Sequence, residues 1–423
     1  MKILWFTSYP APEMVRRAGQ GNEGYGGHWT IELLRHVSER NNIELGVATA
    51  FPGLRETSFK EGNVTYFTIN QPRRFPAFGM RAIDLEKCAA VIEEFKPDLI
   101  HIHGSEFFYG MVKATGRTNV PAVISIQGLL GPYSTMRHFF GALSPIEILK
   151  SLRLIELPVK LGLLWQYIDI KRGARREKKI LSAVEGLLGR TEWDHAHARA
   201  YNPDAIYCHV GEIMRPTFYD AQWSLDSCDR QTIIYTNAGH PRRGTENLLD
   251  AVALLRHEFP NIRLRLAGRV SNRSGYGRFI RRRIKELRID DRVEFLGYLD
   301  AKAMACELLR AHVFAITSYI ENSPNSLAEA MLLGMPCVAS YVGGIPDMVR
   351  TGETGLLYPV DDVPLLAEKI RNIFVDDELT IRLGSNARSV ARERHDPKRV
   401  VEQLVAAYKK ILASKYKPAR QSQ

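Results

Sequence analysis

The runs KILWFTSY, IELGVATAF, VTYFTI, PDLIHIHG and AVISIQG are apolar without alternation, and amphipathic helices such as TIELLRHVSER and LEKCAAVIEEF stand between them. A strand that is apolar on both faces has to be covered on both faces. A sheet open to water on one side cannot do that, whereas a parallel sheet flanked by helices can. The pattern then starts again with QTIIYTNAG, IRLRLAGR, VEFLGYL, HVFAITSY and PCVASY, with helices such as TENLLDAVALLRHEF between them. A chain of 423 residues is too long for one ordinary core. The expected fold class is therefore α/β, with two Rossmann-like domains (1–212 and 213–396) joined near residues 205–230.

Composition narrows the chemistry only in part. A net charge of +11 suits a polyanionic partner, whether nucleic acid, an anionic membrane face or a phosphorylated substrate. The five cysteines (Cys88, Cys208, Cys228, Cys306, Cys337) are dispersed, without metal-ligand spacing, and read as reduced thiols of a cytoplasmic protein. MKILWFTSYP reads as a buried first strand and not as a signal peptide, and no apolar run reaches the length of a membrane span. The segment 139–179 is apolar, carries Pro145 and Pro158, and ends in the cluster Lys171, Arg172, Arg175, Arg176, Lys178 and Lys179. Two readings of it stand side by side. It is either a pair of helices packed on the N-terminal domain or an interfacial element that docks on anionic lipid, burying Phe139, Phe140, Leu163, Leu164 and Trp165.

ENSPNSLAEAMLLGMPCVASYVGGIPDMV, residues 321–349, carries the chemistry. Ser326-Leu-Ala-Glu329 has the S-x-x-E spacing of a capping box, and Gly334 sits where that helix should stop. Capping does not account for Glu321 or for the small polar loop between the two acids. A strand, a turn of small residues and a helix N-terminus together form an anion site, since free amides and the helix dipole point at the ligand. An acid on either side of such a site is tolerable if each meets hydroxyls. A nucleoside diphosphate sugar offers that arrangement, with diphosphate in the middle, ribose at one end and sugar at the other.

Glu321 and Glu329 are separated by seven residues and followed by GETGLLYPVDD. This resembles the E-x7-E signature of retaining family 4 glycosyltransferases with the GT-B fold. The glycine loop at Gly26 and Gly27, PDLIHIHG, NAGHPRRGTENLLDAVALL and RHDPKRVVEQLVAAYKKIL fall in that family's order. The resemblance implies two Rossmann-like domains whose sheets face each other across a cleft. It also implies a last helix (within 397–423) returning to the N-terminal domain, and a nucleotide-sugar donor held by the C-terminal one. In that scheme Glu329 accepts hydrogen bonds from ribose, Glu321 meets the transferred sugar, and Arg243 clamps the diphosphate. His240 and Arg242 are candidates for a second basic group, and Gly239 lies beside the donor. Arg243 and Glu321 are the catalytic assignments. Pro324 has no N–H to offer, so a phosphate cradle falls to Ser323, Asn325 and Ser326. Gln127 stands where many relatives carry a histidine facing the donor sugar. It can hydrogen-bond but cannot act as an acid or base.

For the acceptor, the resemblance points to Gly26 and Gly27, and His103 joins them because it stands at the carboxyl end of its strand, where α/β sheets bind ligands. His101 and His103 in IHIHG are expected on opposite faces of their strand, His101 in the core and His103 at the cleft. No D-x-D occurs, so neither a metal nor any other cofactor is expected. RFIRRRIKELRIDD lacks the aromatic interleaving of single-strand readers, so nucleic acid is not expected as a partner. The resulting expectation is a retaining glycosyltransferase acting on a glycan or lipid-linked polysaccharide precursor, cytoplasmic, with peripheral attachment to the inner membrane face as the second reading of its location. An epimerase or hydrolase of the same fold and a non-enzymatic basic surface binder are the alternatives.

Overall fold

A computed structural model describes residues 1–19, 28–52, 55–71, 80–151 and 162–414. They form two compact units. The first comprises Met1–Gly131, Asp169–Ile213 and the chain from His395 onward; the second comprises Pro132–Ile168 and Met214–Arg394.

The first unit is built on an eight-stranded sheet of order β3-β4-β2-β1-β5-β6-β7-β8. Its strands are β1 (Lys2–Phe6), β2 (Glu44–Phe51), β3 (Thr57–Glu61), β4 (Val64–Asn70), β5 (Leu99–His103), β6 (Ala122–Ser125), β7 (Gly186–Gly189) and β8 (Ile206–His209). All pairings are parallel except that of the edge strand β3 with β4. In β1 the successive side chains go to opposite faces. Leu4 and Phe6 join one core with Ile100 and Ile102, while Ile3 and Trp5 join another with Leu45 and Leu99.

The second of those cores is closed by the helix Pro397–Ser414. Its buried stripe Val400, Val401, Leu404, Ala407, Tyr408 and Ile411 follows the helical period. Burying each large side chain of this kind contributes about 1.5–3 kcal/mol. The Trp5 indole N–H donates to the Tyr408 hydroxyl at 2.9 Å, and that hydroxyl lies 2.6 Å from His101 Nδ1. His101 Nε2 lies 2.7 Å from Ser125 Oγ. Burial holds His101 far below the usual imidazole range, so it is neutral. The chain is satisfied when Tyr408 donates to Nδ1 and Nε2–H donates to Ser125.

His101 and His103 do not lie on opposite faces: their ring centroids are 3.9 Å apart. Side chains two residues apart on a strand share a face, and that periodicity overturns the expected split.

The second unit has a six-stranded, wholly parallel sheet of order β11-β10-β9-β12-β13-β14. The strands are β9 (Asp229–Tyr235), β10 (Arg263–Ala267), β11 (Val293–Gly297), β12 (Ala311–Ile316), β13 (Cys337–Ser340) and β14 (Leu356–Tyr358).

The segment Pro132–Ile168 departs from a division at residue 212, because it packs within the second unit. Phe139 and Phe140 are buried against each other and Tyr167, and the Phe139 ring meets His240 edge-on at 5.0 Å. Leu143, Ile148 and Leu163 join that unit's core. Glu147 pairs with Arg282, and Arg137 pairs with Asp361. Phe139 and Phe140 are therefore core residues and cannot enter a lipid surface as anticipated; Leu164 stays exposed. Among the described residues no helix is long and apolar enough to cross a membrane.

Candidate active site

In the second unit, β12 runs into the loop Thr317–Pro324 and then into the helix Asn325–Leu333. The loop is held from three sides. Ser340 Oγ donates to the Ser318 carbonyl at 2.7 Å, Gly344 N–H donates to the Glu321 carbonyl at 3.1 Å, and Tyr319 N–H donates to the Arg242 carbonyl at 2.9 Å. Ser318 Oγ donates to Glu321 Oε1 at 2.9 Å, and the Arg243 guanidinium pairs with the same carboxylate oxygen. Gly343 backs this arrangement at φ +52°, where a Cβ would fall 1.8 Å from the Glu321 carbonyl oxygen.

Arg243 ends the short turn Pro241–Arg243, and its carbonyl accepts from Tyr235 Oη at 2.5 Å and from Thr317 Oγ1 at 3.0 Å. Burial, with Arg242 as the second cause, pushes the Arg243 guanidinium down to about 10, so it remains cationic at neutral pH. His240 starts the same turn, its Nδ1 accepting from the Arg242 amide at 3.1 Å. Burial and the two arginines push His240 down to about 3, so in the ligand-free protein its imidazole is the neutral cap of this turn. The Arg242 guanidinium lies 4.8 Å over the Tyr133 ring, leaving Arg242 as the second basic candidate. Gly239 is required by space: a Cβ there would fall 2.2 Å from the Arg269 carbonyl oxygen.

The capping box is not formed. The helix begins at Asn325 with Pro324 in the N-cap position and no side-chain cap, so Ser326 lies inside the first turn. Proline fixes the chain's entry into the helix two residues earlier than the S-x-x-E spacing suggests. Gly334 does end the helix, at φ +82°. Asn325 and Ser326 sit half-buried in the first turn, where helix amides have no intrahelical acceptor. Ser323 is buried, its Oγ 3.6 Å from Met348 Sδ.

Glu329 is also buried and meets Arg215 side-on, Nε to Oε1 and Nη2 to Oε2, both at 2.7 Å. Each glutamate of the pair thus has its own arginine. Arg215 escaped the sequence reading because 114 positions separate it from Glu329 and no motif marks it.

In the first unit, His103 ends β5 and Gln127 follows β6. Together with Trp29, Ser125, Arg190 and Glu212 they line a small cavity at the carboxyl ends of the strands. Arg190 and Glu212 form a buried ion pair. Arg190 Nη2 also donates to the Ile126 carbonyl at 2.6 Å and to Gln127 Oε1 at 2.9 Å. Gln127, expected at the donor, is thus bound within this cluster. Burial pushes His103 down to about 3, so it is neutral and suits hydrogen bonding more than proton transfer. Arg190 and Glu212 were not foreseen either. The available signal was an arginine directly after a short apolar run, in GLLGRTEWD. Gly26 and Gly27 lie outside the described residues.

Residues 222–390 match the sequence family described as Glycosyl transferases group 1. The chain is 33% identical over 164 residues to D-inositol 3-phosphate glycosyltransferase of Corynebacterium efficiens, a match covering 38% of this chain and 39% of that protein. It is 35% identical over 130 residues to N-acetyl-alpha-D-glucosaminyl L-malate synthase of Bacillus anthracis, covering 30% of this chain and 33% of that one. These matches span only about a third to two fifths of either relative. Among solved structures, sucrose-phosphate synthase of Thermosynechococcus elongatus aligns over 98% of this chain and 100% of its own, with a TM-score of 0.74 at 19% identity. The Anabaena protein HepE in complex with UDP-glucose aligns over 97% and 100%, with a TM-score of 0.68 at 18% identity. The fold is GT-B, two Rossmann-like α/β units with parallel sheets.

Proposed function

We propose that this protein transfers a sugar from a nucleoside diphosphate sugar to a glycan or lipid-linked acceptor, with retention at the anomeric carbon. The observation that carries the proposal is the pairing of Arg243 with Glu321 and of Arg215 with Glu329, on either side of a helix N-terminus. That is two neutralised acid–base pairs around an anion site, suited to a ligand with a charged middle and hydroxyl-bearing ends. The match of residues 222–390 to glycosyltransferases, and the UDP-glucose held by the HepE relative, support the donor class.

On this reading the second unit holds the donor and the first the acceptor. Arg243 and the first-turn amides at Asn325 and Ser326 bind the diphosphate, and Glu329 accepts from the ribose hydroxyls. Glu321 exchanges its partner Arg243 for the hydroxyls of the transferred sugar. Catalysis is then electrostatic: fixed donors stabilise the leaving diphosphate as the anomeric bond breaks. A carboxylate buried beside a fixed cation cannot also serve as a mobile proton carrier without losing that pairing, so Glu321 orients and does not relay. No metal or other cofactor enters this scheme.

The test is a thermal-shift series with UDP, GDP, ADP and their sugars, followed by transfer assays in EDTA. A donor at a hundred times its Kd should add about 2.7 kcal/mol of stability. We expect one nucleotide series to shift the transition upward and transfer to persist in chelator. If no series stabilises the protein, the donor assignment is overturned. If chelation stops transfer and Mg²⁺ or Mn²⁺ restores it, the metal-free scheme is overturned.

We further propose that the protein docks reversibly on anionic membrane. Along the helix Leu163–Leu181, Lys171, Arg172, Arg175, Lys178 and Lys179 are exposed on one side, whereas Ile170, Gly173, Glu177, Ile180 and Leu181 are buried on the other. Arg176 turns inward and donates to the Glu106 carbonyl at 2.6 Å. Each exposed cation contributes about 1 kcal/mol near an anionic surface at low salt. Vesicles rich in phosphatidylserine should therefore retain the protein in co-flotation, and added salt or reversal of these five charges should release it. Equal retention on neutral phosphatidylcholine vesicles would sink the proposal.

A further inference from the structure

The two acids of the site are held differently, and the difference assigns a role to a residue outside the loop. Glu321 is contacted by Arg243 through one oxygen, which Ser318 shares. Glu329 is gripped through both oxygens by the Arg215 fork, at 2.7 Å each. We infer that Arg215 is a positioning residue that presents the Glu329 carboxylate, already oriented and charged, to the ribose diol of the nucleotide. Discrimination between ribo- and deoxyribonucleotides then depends on an arginine that does not itself touch the ligand. This rests on the donor assignment given above.

Three observations lead there. First, Glu329 is the fifth residue of its helix and is not spent on capping, because Pro324 holds the N-cap position without a side-chain cap. Its conformation therefore has to be fixed from outside. Two parallel hydrogen bonds from a planar guanidinium fix the plane of a carboxylate as well as its position, which a single contact or a lysine does not do.

Second, Glu329 is only 6% exposed. Burial without a counter-charge disfavours the ionised form of a carboxylate, and a protonated acid would offer a donor where ribose hydroxyls need acceptors. Arg215 removes that penalty before any ligand arrives. A carboxylate has about four acceptor sites, so a fork taking two does not by itself exhaust it.

Third, Arg215 is itself held. Its guanidinium lies 4.7 Å over the ring of Phe218, which is fully buried, and the neighbouring Met214 amide donates to Tyr219 Oη at 3.0 Å. The cation is thus fixed by the turn that opens the second unit's main segment, independently of the loop that carries Glu321.

The experiment compares Kd values for UDP and 2′-deoxy-UDP, with GDP and ADP and their deoxy forms as parallel arms, in wild type, Arg215→Gln, Arg215→Lys and Glu329→Gln. Wild type should prefer the ribonucleotide by roughly tenfold, the scale of a hydrogen bond to a charged group. Arg215→Gln should bring that ratio toward one while affinity for the deoxynucleotide changes little. It should raise the donor KM more than it lowers kcat. Arg215→Lys, which keeps the charge without the fork, should recover only part of the preference, and it carries the test if the glutamine variant does not fold. In the Glu329→Gln background, adding Arg215→Gln should leave the ratio unmoved.

A merely structural arginine would lower thermal stability and leave the ribo-to-deoxy ratio intact. That outcome, with wild type discriminating normally, overturns the inference alone. A wild type that binds none of the three nucleotides overturns the donor assignment, and this inference with it.

Discussion

Glu321→Ala should lower sugar transfer by about a hundredfold or more, the scale of losing one group aimed at a transition state, while affinity for a nucleoside diphosphate stays intact or rises. Glu321 is the counter-charge of Arg243, which stays cationic at neutral pH although burial has pushed it down to about 10. Removing the acid leaves a largely buried cation uncompensated, which is costly in the free protein. On the proposed donor scheme an arriving diphosphate supplies the missing charge, so the variant should be less stable alone and regain more stability than wild type on adding whichever of UDP, GDP and ADP stabilises the wild type. Glu329→Ala acts in the opposite sense. On the same scheme it removes the acceptor for ribose and strands Arg215, so affinity for that nucleotide should fall. Titration calorimetry with that nucleotide and single-turnover transfer measured on both variants separate these outcomes. An equal loss of nucleotide affinity in the two would end the proposed division of roles.

Gly343→Ala should cost the protein more than any ordinary loop substitution and take activity with it. The residue sits at φ +52°, where an L side chain costs about 1–2 kcal/mol. That strain alone would be tolerable. The decisive effect is the Cβ, which would stand 1.8 Å from the Glu321 carbonyl oxygen and 3.0 Å from its carbonyl carbon. Both are backbone atoms, so no side chain can swing away, and the loop carrying Glu321 has to move. Misplacing by about an ångström a group that orients the substrate, the role proposed for Glu321, costs roughly a hundredfold in rate. Gly352→Ala is the matched control: its φ is +79° but nothing lies within 4 Å of the added atom. It should show the strain alone, with unchanged transfer. Denaturant titration and steady-state rates on both variants decide the point, and indistinguishable behaviour would refute the argument.

The central strands were legible because buried parallel strands announce themselves as continuous apolar runs, as in KILWFTSY and HVFAITSY. The strands that were missed are those for which this signal fails. β7 and β8 have four residues each and β14 three, and β3, Thr57–Glu61, has a single apolar side chain and lies antiparallel at an edge. The apolar character of 139–168 told correctly that Phe139 and Phe140 want burial, but not against which unit. Hydrophobicity is non-directional, and contacts such as the Glu147–Arg282 and Arg137–Asp361 pairs and that with His240 specify the partner. Within the candidate site, Glu321, Glu329 and Arg243 were picked out by motif spacing. Their partner Arg215 and the Arg190–Glu212 pair were not, since ion pairs between distant segments leave no periodicity to read. Ser326 shows the reverse failure, where a correct local rule was overridden by the proline two residues before it.

The chain crosses between the two units four times, after residues 131, 168, 213 and 394. Translation makes this a question of timing. Trp5 is synthesised well before its hydrogen-bond partner Tyr408, which comes 403 positions later. At about 5–20 residues per second, the face of the first sheet that carries Ile3, Trp5 and Leu45 waits on the order of half a minute for the helix that covers it. During that interval the nascent chain displays an apolar surface that its own sequence will later close. Neither unit can be obtained by a single cut, because each is assembled from pieces that flank a piece of the other.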